Sequence, residues 1–281
     1  MPFSPKLARA ISNLLGGPAV GERAERLQFT DAGHGYDRFG MHPDFIALSA
    51  ALTDPLYSRY FRVQSHGSEH IPRSGAAVLA SNHSGTLPID GAMLYQDVYR
   101  QTDPPRAPRA VADYFVSSMP FISTLFARAG VVGGSRGNAR ALLQAGELLM
   151  IFPEGVGGIG KRFRDRYRLQ RWSVGHAELA IRYRAPVVPV AVIGAEEQMP
   201  QLFRIPAFPG SPLPYIPVPA TPIPLPVRYH IHYGPPLRFD QEFRPADADD
   251  PDLVRDAARR VKAAVQGLIN TGLDQREGVF T

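Results

Sequence analysis

The 281-residue sequence contains no cysteine. That absence excludes disulfides, thiolate nucleophiles and cysteine-ligated zinc together, so any nucleophile is oxygen or nitrogen, and the redox compartment stays open. Nowhere do about 18 apolar residues follow one another free of charge and proline, so no membrane-spanning helix is expected. The first residues, MPFSPKLARAISNLLGG, hold too short an apolar stretch and too many polar breaks for a secretory signal, which makes a cytoplasmic location the expectation. There is no internal repeat. Disorder is excluded too, because 44% hydrophobic and 20% charged residues are the proportions of an ordinary globular chain long enough to bury a sizeable core.

What the chain does have is positive charge. The formal net charge of +5 favours anionic partners: nucleic acid, phosphorylated cofactors or an acidic membrane surface. Composition does not choose among them. Residues 5–15 and 43–62 carry helical apolar spacing, the second with Phe45, Ile46, Leu48, Leu52, Leu56, Tyr57 and Tyr60 along one side. Residues 29–42, rich in Gly, Asp and His, read as loop.

From Arg62 onward short β-type runs alternate with helical ones. RVQSHG, AAVLAS, ELLMIF and PVVPVAVIG read as strands, and the last three are apolar on both faces. Such strands belong to a mainly parallel sheet covered by helices, so the expected class is α/β: a mostly parallel central sheet flanked by helices, with an N-terminal amphipathic helical segment. Helices are expected at 87–100, 137–146, 172–183 and 250–269. Residues 205–227, IPAFPGSPLPYIPVPATPIPLPV, carry no charge and many prolines, which bars a helix or a central strand and predicts an apolar loop. VRYHIHYG then returns to strand-like alternation. The expected organisation is an N-terminal helical segment over 1–61, a candidate for membrane contact, and an α/β domain over 62–281.

Chemistry concentrates in two stretches. In AAVLASNHSGTLPIDGAML, His83 stands where a buried strand ends, the edge at which open α/β sheets bind ligands. A histidine there serves as general base near neutral pH if a carboxylate orients its other nitrogen, and Asp90, at the start of the next helix, is within reach. The competing reading makes His83 a turn residue and Asp90 a complement to the helix N-terminus. In ELLMIFPEGVGGIGKRF, a second strand delivers Glu154 to the same edge, either to bind an acceptor hydroxyl, to position a basic partner, or as a solvated loop carboxylate.

Gly155, Gly157 and Gly160 match G-x-G-x-x-G after a strand, which raises a dinucleotide-binding oxidoreductase as the rival class. That fingerprint needs a helix packed behind its third glycine, and KRFRDRYRLQRW stands there instead. The run of Lys161, Arg162, Arg164, Arg166, Arg168 and Arg171 suits phosphate or lipid headgroups; interleaved Phe163, Tyr167 and Trp172 also suit base stacking, but no nucleic-acid module is recognisable. Arg136, in a small-residue loop before a helix, is either a phosphate ligand or a surface arginine. His230 and His232 share one strand face, yet no third metal ligand is evident, so they are taken as structural and no metal is expected.

Together these segments resemble the glycerolipid acyltransferase family that includes lysophosphatidic acid acyltransferases. SNHSGTLPID resembles its histidine–aspartate motif, GVVGGSRG its arginine-bearing second motif, IFPEG its third and APVVPVAVIG its fourth, in the family's order over roughly 62–195. The resemblance implies His83 as base and Asp90 as its orienting carboxylate, with Arg136, Glu154 and Gly155 binding the acceptor and Pro189 in the strand lining the acyl region. It implies acyl-CoA or acyl carrier protein as co-substrate, a hydroxyl-bearing lysophospholipid or other glycerolipid as acceptor, no further cofactor, and peripheral attachment to a membrane surface.

Two departures stand out. Six residues, SGTLPI, separate His83 from Asp90 where the family has four, and the added chain spans at most about 7 Å. This longer spacing resembles a branch with diacylglycerol-acyltransferase-like relatives. The third block continues with Val156 and Gly157 where the family has threonine or serine and then arginine. Lys161 or Arg162 then substitutes as the acceptor's cation, or the acceptor lacks a phosphate. Without a cysteine or a G-x-S-x-G elbow, the chemistry expected is direct attack by the acceptor hydroxyl. The alternatives left standing are the oxidoreductase and a non-catalytic lipid- or nucleic-acid-binding protein.

Overall fold

The continuous apolar runs become strands because both their faces are covered. A computed structural model describes residues 4–84, 87–112, 121–207 and 215–281. Its central sheet has seven strands: β1 (Gln64–His66), β2 (Ala77–Ser81), β3 (Arg109–Ala112), β4 (Val132–Gly133), β5 (Leu148–Ile151), β6 (Val187–Ile193) and β9 (His230–Tyr233), in the order β1-β9-β6-β2-β5-β3-β4. From β6 to β4 all neighbours are parallel; β9 runs antiparallel to β6, and β1 is parallel to β9. The α/β class and the mostly parallel sheet read from the sequence are therefore the architecture found.

Alternate residues of each strand feed opposite cores. On one face Val78, Ala80, Leu149, Val187, Ala191 and Ile193 pack under α6 (Arg136–Gln144), α8 (Gly175–Arg182) and the C-terminal α11 (Pro251–Gln275), which contributes Val261, Val265 and Ile269. Phe239 of the short α10 (Phe239–Glu242) joins the same core. On the other face, Leu79, Met150, Val190 and Ile231 meet Met93, Leu94 and Val98 of α4 (Ile89–Gln101), with Tyr57 and Phe61 closing the end. In the chain α5 (Ile122–Arg128) lies between β3 and β4. α1 (Pro5–Gly16), α2 (Pro18–Glu25) and α3 (Pro43–Pro55) form the N-terminal segment, where Ala8 packs with Phe45 and Leu48. After Pro55 one π-helical turn (Leu56–Tyr60) continues α3, and Thr53 donates a hydrogen bond to Gln96 Oε1 of α4 at 3.0 Å.

Two strands of the central sheet carry no strand signal in the sequence. β3 begins with Arg109, a residue type that marks surface, but here it is wholly buried, its guanidinium 2.5 Å from Asp37 Oδ2 and its Nε bonded to Gly130 O. β4 is two residues long, too short to carry a periodicity. A further correction concerns part of 205–227, expected as loop: 208–214 lie outside the described residues and 220–227 form no strand, but the segments flanking 208–214 are paired. β7 (Gln201–Pro206) and β8 (Tyr215–Pro219) pair antiparallel in a separate two-stranded sheet. Proline is tolerated there because neither strand has a second neighbour to serve.

Candidate active site

β2 ends at Ser81, and the Asn82 side chain fastens the chain beyond it to the sheet. Its side-chain amide donates to Val192 O at 2.9 Å and accepts from Val192 N at 2.8 Å, pairing with β6 as a backbone unit would. His83 is thus held at the C-terminal edge of the parallel strands. Asp90, the second residue of α4, is fully buried. Its Oδ2 accepts from His83 Nδ1 at 2.6 Å and from Ser84 N at 2.8 Å, and its Oδ1 accepts from Gly91 N at 2.8 Å. A carboxylate only accepts, so Nδ1 carries the proton and Nε2 is left as the basic nitrogen. The six-residue separation does not prevent contact; Gly85 and Thr86 within it lie outside the described residues. Phe152, one residue past β5, stacks on the imidazole with centroids 4.4 Å apart.

The third motif lies immediately beside this pair. Gly155 adopts φ 52° and ψ −144° as it opens the short helix α7 (Val156–Ile159), a conformation that a side chain disfavours. Gly158 approaches so closely that a Cβ there would lie 2.5 Å from His83 O and 2.6 Å from Glu154 Oε2. Glycine at this position therefore lets the turn seat against the segment bearing His83. The match to a dinucleotide fingerprint goes no further. Past Gly160 the chain leads into a single 3-10 turn (Phe163–Asp165), not the packed helix a pyrophosphate site needs.

Glu154 is buried, which corrects the solvated-loop reading. Its Oε1 accepts from Gln170 N at 2.9 Å and Trp172 Nε1 at 3.3 Å, and its Oε2 lies 3.3 Å from Lys161 Nζ. Lys161 is equally enclosed, 6% exposed, and donates at 2.9 Å to Glu196 on α9 (Ala195–Gln198). Burial opposes its charge, but Glu196 and Glu154 together outweigh that and hold the ammonium above its ordinary value. Glu196 falls in no recognisable motif, and Asn82, although inside SNHSGTLPID, has a bonding role that only the neighbouring strand β6 reveals. Tyr167 and Trp172 are core residues and offer no stacking surface, whereas Arg162, Arg164, Arg166, Arg168 and Arg171 are exposed.

Arg136 opens α6 at the same edge of the sheet, behind the Ser135 N-cap. Its side chain is 85% exposed and lies 3.3 Å from Glu178. Pro189 sits inside β6, paired with Ala80 of β2. A groove of about 470 Å³ opens beyond the ends of β3 and β4, between Ala112, Gly133, Tyr36 and Phe126. It lies on the same strand edge as His83, on the far side of β5.

His83, the carboxylate of Asp90 and the glycine turn stand together on adjacent strands of one sheet, an arrangement chemically able to take a proton from a hydroxyl. Comparison with known proteins agrees: the acyltransferase family model matches residues 62–193, the span from β1 to the end of β6. The chain belongs to this family, the glycerolipid acyltransferases that its four blocks resemble, and is an acyltransferase. An uncharacterized protein of Mycobacterium tuberculosis is 37% identical over 258 residues, covering 87% of this chain and 71% of its own length. A bovine protein named "DGAT1/2-independent enzyme synthesizing storage lipids" is 27% identical over 230 residues, 79% of this chain and 63% of its own. The crystal structure of the 1-acyl-sn-glycerophosphate (LPA) acyltransferase PlsC from Thermotoga maritima superposes with a TM-score of 0.57, covering 98% of this chain and 100% of that one, at 15% identity. That last likeness is one of fold.

Proposed function

We propose that this protein moves a fatty acyl chain from an acyl thioester, acyl-CoA or acyl carrier protein, to a hydroxyl of a glycerolipid, with His83 as general base. The observation that carries the reading is the 2.6 Å contact between His83 Nδ1 and the buried Asp90. It directs Nε2 to the acceptor. Nε2 takes the hydroxyl proton as the acceptor oxygen bonds to the thioester carbon; the C–S bond then breaks, and the imidazolium returns the proton to the departing thiolate. Asp90 stabilises the imidazolium between these events.

The buried Lys161 supports an acceptor without a phosphate. Its ammonium is already shared by Glu154 and Glu196, so the cation nearest the departed arginine position has no charge to spare. The storage-lipid relative points the same way. Arg162 and Arg136 are the exposed cations that a phosphorylated acceptor would have to use instead.

Membrane contact is the companion proposal. No helix among the described residues is long and apolar enough to cross a bilayer. Leu202, Phe203, Ile205 and Ile216 of the β7–β8 hairpin are exposed, as are Leu14 and Leu15 of α1 and the five arginines between 162 and 171. Apolar tips beside cations suit peripheral binding to an anionic surface on the cytoplasmic side.

Lipid mass spectrometry tests the enzyme reading. Wild type with acyl-CoA and a panel of diacylglycerol, monoacylglycerol and lysophospholipid acceptors should yield an acylated neutral lipid that His83→Ala fails to make. A folded wild type that turns over none of them, with either donor, defeats it; a phosphorylated product alone defeats the neutral-acceptor part.

A further inference from the structure

The edge of the sheet away from β4 carries a second cluster of chemically active side chains. His230 and His232 point from one face of β9, and β1, its parallel neighbour, pairs His66 with His232. The third histidine that spacing along the chain did not reveal is supplied across the sheet. The rings lie side by side: His66 to His232 with centroids 4.4 Å apart, His66 to His230 at 5.8 Å, both within 13° of parallel. One ring nitrogen from each falls within 4.8 Å of the others.

Two facts make this more than proximity. His230 and His232 are 7% and 6% exposed, yet the Nε2 of each has no hydrogen-bond partner. Buried polar nitrogens without partners are rare in native proteins, and a bound ion is among the few explanations. His66, by contrast, is exposed, so an ion can reach the cluster from solvent, and neutral imidazole is the form that ligates metal. Three stacked histidines with no hydrogen bonds among them otherwise gain little from sharing a site.

We propose that His66, His230 and His232 bind a divalent transition-metal ion, with zinc as its natural occupant. Three imidazoles without a thiolate or carboxylate are a donor set suited to zinc. At Zn–N distances of about 2.0–2.1 Å, tetrahedral ligands stand about 3.3 Å apart, so the nitrogens draw together on binding. His66 is exposed, while α11 backs His232, with Gly272 so close that a Cβ there would lie 2.6 Å from Nε2. The exposed side of His66 leaves the fourth position to water or an anion. Glu197, which grips Arg276 at 2.5 and 2.7 Å, offsets part of the positive charge that Arg228 and Arg276 direct at His230. The site is separate from His83, with β6 standing between β9 and β2. Its effect would be to clamp the three-residue edge strand β1 to the sheet.

Purified full-length protein, stripped with chelator and titrated with Zn²⁺ against a chromophoric competitor, should bind one ion per chain and gain thermal stability. Co²⁺ should give the intense visible absorption of a four-coordinate site. Changes outside the ligand shell already cost about 10–100-fold in affinity, so His66→Gln and His232→Gln should each cost at least about tenfold. His66→Gln is the decisive variant, because its exposed side chain can be changed without disturbing the core. The proposal fails if wild type binds no stoichiometric zinc, if either variant binds as wild type does, or if His83→Ala abolishes binding instead.

Discussion

Replacing Asp90 by asparagine removes one charge and adds two hydrogens at the most enclosed point of the site. If the new NH₂ takes the place of Oδ2, it faces the N–H groups of His83 and Ser84; if it replaces Oδ1, it faces Gly91 N–H. Either way a buried donor loses its acceptor, which costs about 1–3 kcal/mol of stability. Catalysis suffers more. The imidazolium formed as the acceptor is deprotonated loses a negative charge 2.6 Å away, and the tautomer with basic Nε2 loses its anchor. General base catalysis is worth about 10²–10⁴-fold, so kcat for Asp90→Asn should fall by that factor, about 2.7–5.4 kcal/mol of barrier. The Michaelis constant for the acyl donor should stay near that of wild type, because Asp90 is too deep to touch it. Initial rates of thiol release at saturating donor, with circular dichroism to certify the fold, provide the measurement. A folded Asp90→Asn enzyme within about threefold of wild-type kcat, under about 0.7 kcal/mol, would refute the dyad as the origin of catalysis.

Neighbouring contacts carry further expected outcomes. Lys161→Met leaves Glu154 and Glu196 buried without their shared cation, and breaking such a pair costs about 3–5 kcal/mol, whereas Arg162→Ala on the exposed side should change stability by under about 0.5 kcal/mol; equal urea midpoints for the two would contradict the buried triad. Gly158→Ala should cost about 1–3 kcal/mol and depress activity, since its methyl meets the His83 carbonyl; a neutral result in both assays would show that the turn is not pressed against the loop. Burial lowers the pKa of His176 to about 4 in the folded protein, against 6.5 when unfolded. The unfolded chain therefore binds the extra proton between those values. Stability from this group is complete above pH 6.5 and drops as pH falls toward 4, by up to about 1.4 kcal/mol per unit. Urea midpoints that do not change between pH 7 and pH 5 would contradict it. Removing apolar bulk from the hairpin with Phe203→Ser and Ile205→Ser should weaken co-flotation with anionic liposomes without lowering thiol release from soluble substrates, and unchanged flotation would remove the hairpin from the membrane contact.

The parts of the fold legible in sequence are those where one physical demand dominates. β2, β5 and β6 declare themselves because strands buried on both faces admit only apolar residues, and α4, α6, α8 and α11 because a helix covering a sheet needs one apolar stripe. β3 hides because its first residue is an arginine whose charge is satisfied by Asp37, a partner 72 residues away along the chain. The hairpin hides behind its prolines, which are incompatible with a ladder on both sides but acceptable with one. In the candidate site, His83 and Glu154 are visible because each follows the end of an apolar strand, and Asp90 because it opens the next helix. The rest of Glu154's setting is not: that its neighbours are Trp172 and Lys161, and that Glu196 arrives from beyond the next strand, depends on tertiary approach alone. His66 escaped for the same reason, standing 164 positions before His230 in the sequence and one strand away in space.

The side chain of Asn82 stands in for a peptide group, and this ties two processes that are usually independent. Because Asn82 Oδ1 accepts from Val192 N, the amide hydrogen of a central β6 residue is guarded by the residue next to His83 and becomes open to exchange when that side chain lets go of the sheet. Exchange at Val192 is thus a clock for excursions of the base out of its working position, readable in the resting enzyme without any substrate. An Asn82→Ala chain would keep every catalytic group and lose that coupling, and its base would then wander on its own schedule.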